Sequence, residues 1–287
     1  MKKYLYEINP DAQDAPAKVL RAVGQGKRVL EVGCASGVQS RFLKEKLGCT
    51  VTGIEINPSA AADASKYCER VIVGDLESMD LASQLGDSKF DVIIIADVLE
   101  HLHDPLKVIL KLRDHLRAEG YVVASIPNVV HAALILQMAH GRFDYRPYGL
   151  LDDTHVRFFT LKTIYRLFEE SGLAILGVDR AVRAVESTEF SMHILSPDES
   201  SALDFIRSNN PEWQTYQFIV KAAVLATEAK LQTHGQLEAL DLLKDAELTR
   251  GVLTPRVRKL EGQIAWVESR PLYRGLAILK RIFSFRA

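Results

Sequence analysis

Cysteine is scarce in this 287-residue chain, which holds three, Cys34, Cys49 and Cys68. An odd number without paired, metal-type spacing excludes a disulfide framework and a zinc knuckle. Long apolar runs are missing too: none reaches the roughly 18–20 residues that span a bilayer. After Met1-Lys2-Lys3, the residues Glu7, Asn9 and Pro10 stand where the apolar stretch of a signal peptide would lie. The expectation is a cytoplasmic protein without a secretory leader. A basic excess is also lacking, since 36 Lys and Arg face 37 Asp and Glu, for a net charge of −1. Residues 1–227 carry 25 basic and 30 acidic side chains, whereas 228–287 carry 11 and 7. A weakly acidic body excludes broad nucleic-acid binding, which needs clustered cations to neutralise phosphates.

What is present is ordinary globular material, 47% hydrophobic and 25% charged. From residue 28 to about 125, short Val- and Ile-rich runs alternate with helical patterns, the signature of a parallel sheet wrapped by helices. The spacing predicts strands over 28–32, 50–54, 70–73, 92–96 and 120–125. Helices are predicted over 37–47, 58–67, 81–85 and 105–116, then over 129–140, 161–170 and 198–207. Two further strands are expected, over 174–179 and 216–225. Residues 1–227 read as one domain, and 228–287 as a helical extension.

The strand ending Glu31-Val32 runs into Gly33-Cys34-Ala35-Ser36-Gly37. Small residues at a strand-to-helix turn admit a ligand at the carboxyl end of the strand, where open α/β sheets bind ligands. The turn lacks both the Gly-x-Gly-x-x-Gly of dinucleotide folds and the Gly-Lys-Ser/Thr of phosphate loops, which disfavours a diphosphate. Glu31 offers a carboxylate for a ligand bearing an ammonium and a sulfonium. Glu55, about twenty residues on, can accept from both ribose hydroxyls. Asp75 can accept from an adenine amine, with Leu76 or Ile56 packed on the base, and the next strand ends in Ala96-Asp97-Val98-Leu99-Glu100-His101.

This succession of motifs, through Ser125-Ile-Pro-Asn128, resembles the class I S-adenosylmethionine-dependent methyltransferases over about residues 20–227. The resemblance implies a doubly wound, seven-stranded, Rossmann-like sheet of order 3-2-1-4-5-7-6 whose seventh strand is antiparallel. It also implies S-adenosylmethionine as cofactor, with S-adenosylhomocysteine as product. Cofactor contacts would fall on Glu31, Gly33, Cys34, Ala35, Ser36, Gly37, Glu55, Ile56, Asp75, Leu76, Ala96, Asp97 and Val98. Cys34 stands where many relatives have another small residue. The segment Leu151-Asp-Asp-Thr-His-Val-Arg-Phe-Phe-Thr160, preceded by Gly141-Arg-Phe-Asp-Tyr145, resembles a motif of a subgroup associated with polysaccharide and other glycan biosynthesis.

The acceptor is therefore sought beyond the fifth strand, with Asn128, His131, Tyr145, Asp152, Asp153 and Arg157 as candidate substrate contacts. Methyl transfer from a sulfonium is an in-line displacement, so alignment is the main task, and a hydroxyl acceptor also needs a base. His155 is the candidate, oriented by Asp152 or Asp153, with His131 as runner-up. A loop-fastening role for His155 is the competing reading. His101-x-His103 lacks a carboxylate or Cys following at ligand spacing, so no metal is expected. O-methylation of a saccharide is the leading expectation. An aromatic or quinone-type acceptor is the alternative, and a non-catalytic S-adenosylmethionine-binding partner protein a third. The stretch 270–287 holds five basic residues and no acid in an amphipathic pattern. It suits an anionic inner-membrane surface, a protein partner or a homo-oligomer contact.

Overall fold

The computed structural model describes residues 8–190 and 196–224. The helical extension and amphipathic end expected beyond residue 227 lie outside the described residues. Seven strands form one sheet: β1 (Arg28–Val32), β2 (Thr50–Glu55), β3 (Arg70–Val73), β4 (Phe90–Ala96), β5 (Leu116–Pro127), β6 (Ala174–Val182) and β7 (Thr215–Ala223). Their order is 3-2-1-4-5-7-6, as expected. The first five run parallel, and β7 enters antiparallel between β5 and β6.

Successive strand residues face opposite sides of the sheet, and both sides are apolar. Leu30, Val32, Ile93, Ile95 and Val122 share one core with Val108 and Leu112 of α5 (Pro105–Arg113) and Ile164 and Phe168 of α7 (Leu161–Glu170). Val29, Val51, Val92 and Ile94 share the other with Val19 and Leu20 of α1 (Ala15–Val23) and Leu43 of α2 (Val38–Glu45). Helices α3 (Pro58–Ala64) and α4 (Leu81–Leu85) flank β3 in sequence. A third cluster joins α6 (Ala132–Ala139), Leu150, Leu151, α8 (Pro197–Asn209) and Tyr216, beside the junction of β5 and β7.

Helix α1 is absent from the sequence expectation. Its start is nevertheless written locally, because Asp14 accepts from Ala17 N–H ahead of a proline in the first turn. Asn57 and Asp104 cap α3 and α5 in the same manner. Strand β5 begins at Leu116 rather than at Gly120, because the chain pairs with Phe90 before an irregularity in the register. Gly120 sits at that irregularity, where a Cβ would lie 2.9 Å from the Phe90 carbonyl oxygen. A glycine that reads as a strand boundary is thus a bend within a strand.

Candidate functional site

The turn after β1 is shaped by two glycines with different duties. Gly33 has φ +70°, and a Cβ there would lie 2.7 Å from Val98 Cγ2, so this position keeps β1 and the end of β4 close. Gly37 has φ +80°, and its missing Cβ would meet Ala64 Cα at 2.7 Å, so it serves the approach of α3. The turn hangs from β2: Gly33 and Cys34 donate N–H bonds to the Ile54 carbonyl, and Ala35 N–H donates to Glu55 Oε2 at 2.8 Å. Glu55 Oε1 accepts from Asn57 N–H at 2.8 Å. A carboxylate has about four acceptor positions, so Glu55 retains capacity for ribose hydroxyls after bracing the turn. Ser36, partly exposed, completes the turn.

Glu31 departs from its expected place. It is buried, accepts a short hydrogen bond from Ser40 Oγ of α2, and is held protonated by desolvation, with its pKa raised to about 8. It fastens α2 to β1 rather than lying open to a ligand. Cys34 is also buried, its sulfur lodged where a Cβ on Gly53 would otherwise sit, 2.7 Å away.

Farther along the rim, Ile56 is 66% exposed although apolar, and Val73 is exposed beside it in the sheet order. Such residues suit a planar ligand face. Leu76 belongs to the core instead. Asp75 is exposed, and its carboxylate accepts from Glu77 N–H and Ser78 Oγ–H. At the end of β4, Ala96 and Val98 flank Asp97, which adopts φ +53°. Left-handed backbone at a non-glycine residue costs energy and is retained where surrounding contacts impose it. Here Asp97 N–H bonds to the Ser125 carbonyl and hydroxyl, and Oδ1 accepts from Gln217 of β7. Asp97 is exposed at its surface. Desolvation raises its pKa to about 6, against the bonds from Ser125 and Gln217.

The acceptor-side candidates separate into two groups. Asn128 and His131 are fully buried and engaged in holding the backbone. The Asn128 amide donates to the Glu212 and Thr215 carbonyls at 3.1 and 2.8 Å. His131 caps α6 by accepting from Ala133 N–H at Nδ1 and donates from Nε2 to the Arg183 carbonyl. Neither is available to a substrate, and His131 is removed as a base. Tyr145 is exposed with Phe143 edge-on to it, and Tyr148 is exposed nearby in sequence.

The remaining candidates lie on the loop 150–160, which is stapled to the short 3-10 turn Leu99–His101 following β4. Val156 and Arg157 N–H groups donate to the Glu100 carbonyl, and the Arg157 guanidinium donates to the His103 carbonyl. Arg157 therefore anchors the loop. Asp152 is buried and accepts from Thr154 N–H and Oγ1–H, while Asp153 is exposed. The Nδ1 of His155 donates to the Leu150 carbonyl at 3.2 Å.

His155 thereby meets two residues that the sequence reading left without a role. Glu100 is 1% exposed, and neither carboxylate oxygen has a hydrogen-bond partner. Burial raises its pKa well above the carboxylate range, and Asp97 and Asp152 add to the rise. Glu100 Oε1 lies 4.0 Å from His155 Nε2, and the His155 ring stands edge-on to that of His101 with 4.8 Å between centroids. One ligand-type atom each from Glu100, His101 and His155 falls within 4.8 Å of the others, a set able to hold a metal ion. The pairing considered in the sequence does not form, because His103 turns to Glu77. The signal for Glu100 was its position directly before His101, but its convergence with His155 is set by the loop staple. Gln217 carried no local signal at all.

A depression at the opposite, amino-terminal ends of β1 and β4 is lined by Lys27, Asp91, Arg117 and Tyr121. There Asp91 and Arg117 already pair at 2.6 Å, and no convergent reactive groups appear.

Comparison with known proteins identifies the kind of domain. A family described as "Methyltransferase domain" matches residues 4–178. The chain is 27% identical over 211 residues to the ubiquinone biosynthesis O-methyltransferase of Aeromonas salmonicida, covering 71% of this chain and 86% of that one. It is 30% identical over 160 residues to the protein of the same description from Pseudomonas aeruginosa, covering 51% of this chain and 67% of that one. It spans about half the length of several other relatives so described. Among solved structures, the [4+2]-cyclase SpnF superposes with TM-score 0.50 at 15% identity, covering 76% of this chain and 85% of that one, which establishes a shared fold.

Proposed function

The chain belongs to the methyltransferase-domain family, and from that premise we propose that it moves a methyl group from S-adenosylmethionine to a hydroxyl oxygen of a small aromatic, quinol-like acceptor. The observation that carries this reading is the row of carboxylates at successive strand ends, Glu55, Asp75 and Asp97, beside a turn too poor in glycine for a diphosphate. Glu55 serves the ribose, Ile56 the adenine face and Asp75 the adenine amine. Asp97 supplies negative charge suited to a ligand with a sulfonium and an ammonium.

The acceptor oxygen attacks the methyl carbon in line with the departing sulfur. The C–O bond forms as the C–S bond breaks, the electron pair stays on sulfur, and S-adenosylhomocysteine leaves as a neutral thioether. The hydroxyl proton is lost at the cluster of Glu100, His101 and His155, so His155 acts as part of a buried group rather than as the solitary base expected from the sequence. Alignment of acceptor and methyl supplies most of the acceleration in such a displacement.

The names of the relatives favour the aromatic acceptor. A second reading, a saccharide hydroxyl, is favoured by the resemblance of Leu151–Thr160 to a glycan-associated motif and by the exposed Phe143, Tyr145 and Tyr148, whose rings suit a sugar face. A turnover assay with S-adenosylmethionine against a panel of catechols, quinols and nucleotide sugars separates them. Methylated catechol or quinol is the expected product. Turnover with sugars alone overturns the aromatic assignment, and failure to bind S-adenosylmethionine overturns the function as a whole.

A further inference from the structure

We propose that Glu189 is a positioning residue for His155: it holds the loop 146–155 through Leu150 and so sets where the His155 ring stands. The use of that ring in methyl transfer rests on the function proposed above; the hold of Glu189 on the loop does not.

The loop is first tied to itself. Arg146 N–H donates to the Leu151 carbonyl and Asp153 N–H to the Arg146 carbonyl, each at 2.8 Å, and His155 N–H donates to the Asp152 carbonyl at 3.0 Å. These bonds make residues 146–155 one unit, whose far end is fastened by the bonds from Val156 and Arg157 to Glu100. Glu189 fastens the near end twice. Its Oε1 accepts from Leu150 N–H at 2.6 Å, and its backbone carbonyl accepts from the Arg146 guanidinium at 2.8 Å. From there the path to the imidazole is short. The same Leu150 that gives its N–H to Glu189 offers its carbonyl to His155 Nδ1 at 3.2 Å.

Two further observations show that the loop is shaped around this carboxylate. Gly149 has φ +92°, and a Cβ there would lie 2.2 Å from Glu189 Oε1 and 2.5 Å from its Cδ. Glycine both adopts that backbone and leaves the space that the carboxylate fills. The second oxygen of Glu189, Oε2, accepts from the Tyr216 hydroxyl at 2.8 Å. Tyr216 belongs to β7, inside the sheet, so Glu189 refers the loop to the most rigid part of the fold. Both side chains are buried, where a polar group is kept only with partners to satisfy it. The chain of contacts thus runs from β7 through Tyr216, Glu189 and Leu150 to His155.

Such a path matters because a base works only within hydrogen-bond reach of the proton it takes, and because methyl transfer depends on alignment. The part played by Glu189 is one of reach rather than of charge. Glutamine at this position keeps an acceptor at the same distance from Leu150 N–H, whereas aspartate keeps the charge and falls one methylene short.

The test uses the full chain labelled with 15N-histidine. Nuclear magnetic resonance follows the His155 Nδ1–H, assigned by its loss in His155→Ala, with the His115 Nδ1–H on the Ser88 carbonyl as internal standard. Exchange of the His155 proton with water should quicken about tenfold in Glu189→Asp and Glu189→Ala, as expected for loss of a supporting hydrogen bond. Glu189→Gln should stay closer to wild type than Glu189→Asp, and the His115 signal should stand still throughout. With S-adenosylmethionine and a catechol, kcat should fall about 100-fold in Glu189→Asp, the loss that follows from misplacing a reacting group by an ångström. Affinity for S-adenosylhomocysteine should not follow it. Where Glu189→Ala fails to fold, Tyr216→Phe removes one hydroxyl and keeps the ring, and should shift the His155 signal in the same direction by less. An unchanged His155 signal in folded Glu189→Asp and Tyr216→Phe overturns the proposal. So does a Glu189→Gln variant more impaired than Glu189→Asp, or a moved signal with kcat unaltered. A wild type that transfers no methyl group overturns the function instead, and the exchange measurement then decides by itself whether Glu189 holds His155.

Discussion

The carboxylates on the donor side of the rim and those on the acceptor side are treated differently by the fold. Glu55 accepts from Ala35 and Asn57 N–H groups, and Asp75 from Glu77 N–H, so each is satisfied by backbone of its own strand–turn unit or the one beside it. The carboxyl oxygens of Glu100 are buried without a hydrogen-bond partner, and the histidine facing them arrives on a loop some fifty residues later. The first arrangement is braced before any ligand arrives. The second holds a buried carboxyl group whose oxygens have no hydrogen-bond partner. A rim assembled from repeated local units suits a common cofactor, and a rim assembled by a stapled loop suits a particular acceptor and its chemistry.

The sharpest way to break this comparison is to disable one side and look at the other. His155→Ala should lower turnover roughly 100- to 10,000-fold, the usual range for loss of a proton-transfer group. S-adenosylmethionine affinity, measured by calorimetry, should stay within threefold of wild type. A variant with near-normal turnover would return His155 to the role of a loop fastener. Gly33→Val tests the reverse. A Cβ at 2.7 Å from Val98 Cγ2, on backbone at φ +70°, should weaken S-adenosylmethionine binding by about 100-fold, on strain of roughly 1–3 kcal/mol plus the displaced turn. Circular dichroism melting checks that the fold persists, and unchanged affinity would show that the turn is packing only.

These two variants also mark what was legible from sequence. The sheet order, Glu55, Asp75 and Asp97 could be read because each strand end announces itself locally, by a run of Val and Ile followed by an acid. Glu31 could be read as important but not as structural: the strand pattern does not reveal that its side chain points under α2 to Ser40. Asn128 and His131 look like rim residues because they follow β5, yet their partners, Glu212, Thr215 and Arg183, come from 52 to 87 residues away. The cluster at Glu100 was hidden for the same reason. Its side chains converge through bonds between the loop and the turn, such as those from Val156 and Arg157 to the Glu100 carbonyl, and no local pattern encodes those.

A smaller effect sharpens the assignment of Glu31 to the scaffold. Its folded pKa of about 8 stands above the ordinary 4.5, so the folded state binds the extra proton between these values. The associated stability is complete below pH 4.5 and declines as pH rises toward 8, levelling above it. Glu31→Gln cannot ionise, so its melting temperature relative to wild type should climb across that window. A difference independent of pH would show that Glu31 is ionised in the fold, as a ligand-facing carboxylate would be.

The central claim is that the donor site is built on Glu55 at the end of β2, and calorimetric titration of S-adenosylmethionine into wild type and Glu55→Ala tests it most directly. Each hydrogen bond to a charged group contributes about 1.5–3 kcal/mol, so wild type should bind and Glu55→Ala should bind about 10- to 100-fold more weakly. Equal affinity of the two proteins, or no binding by wild type, would contradict the account.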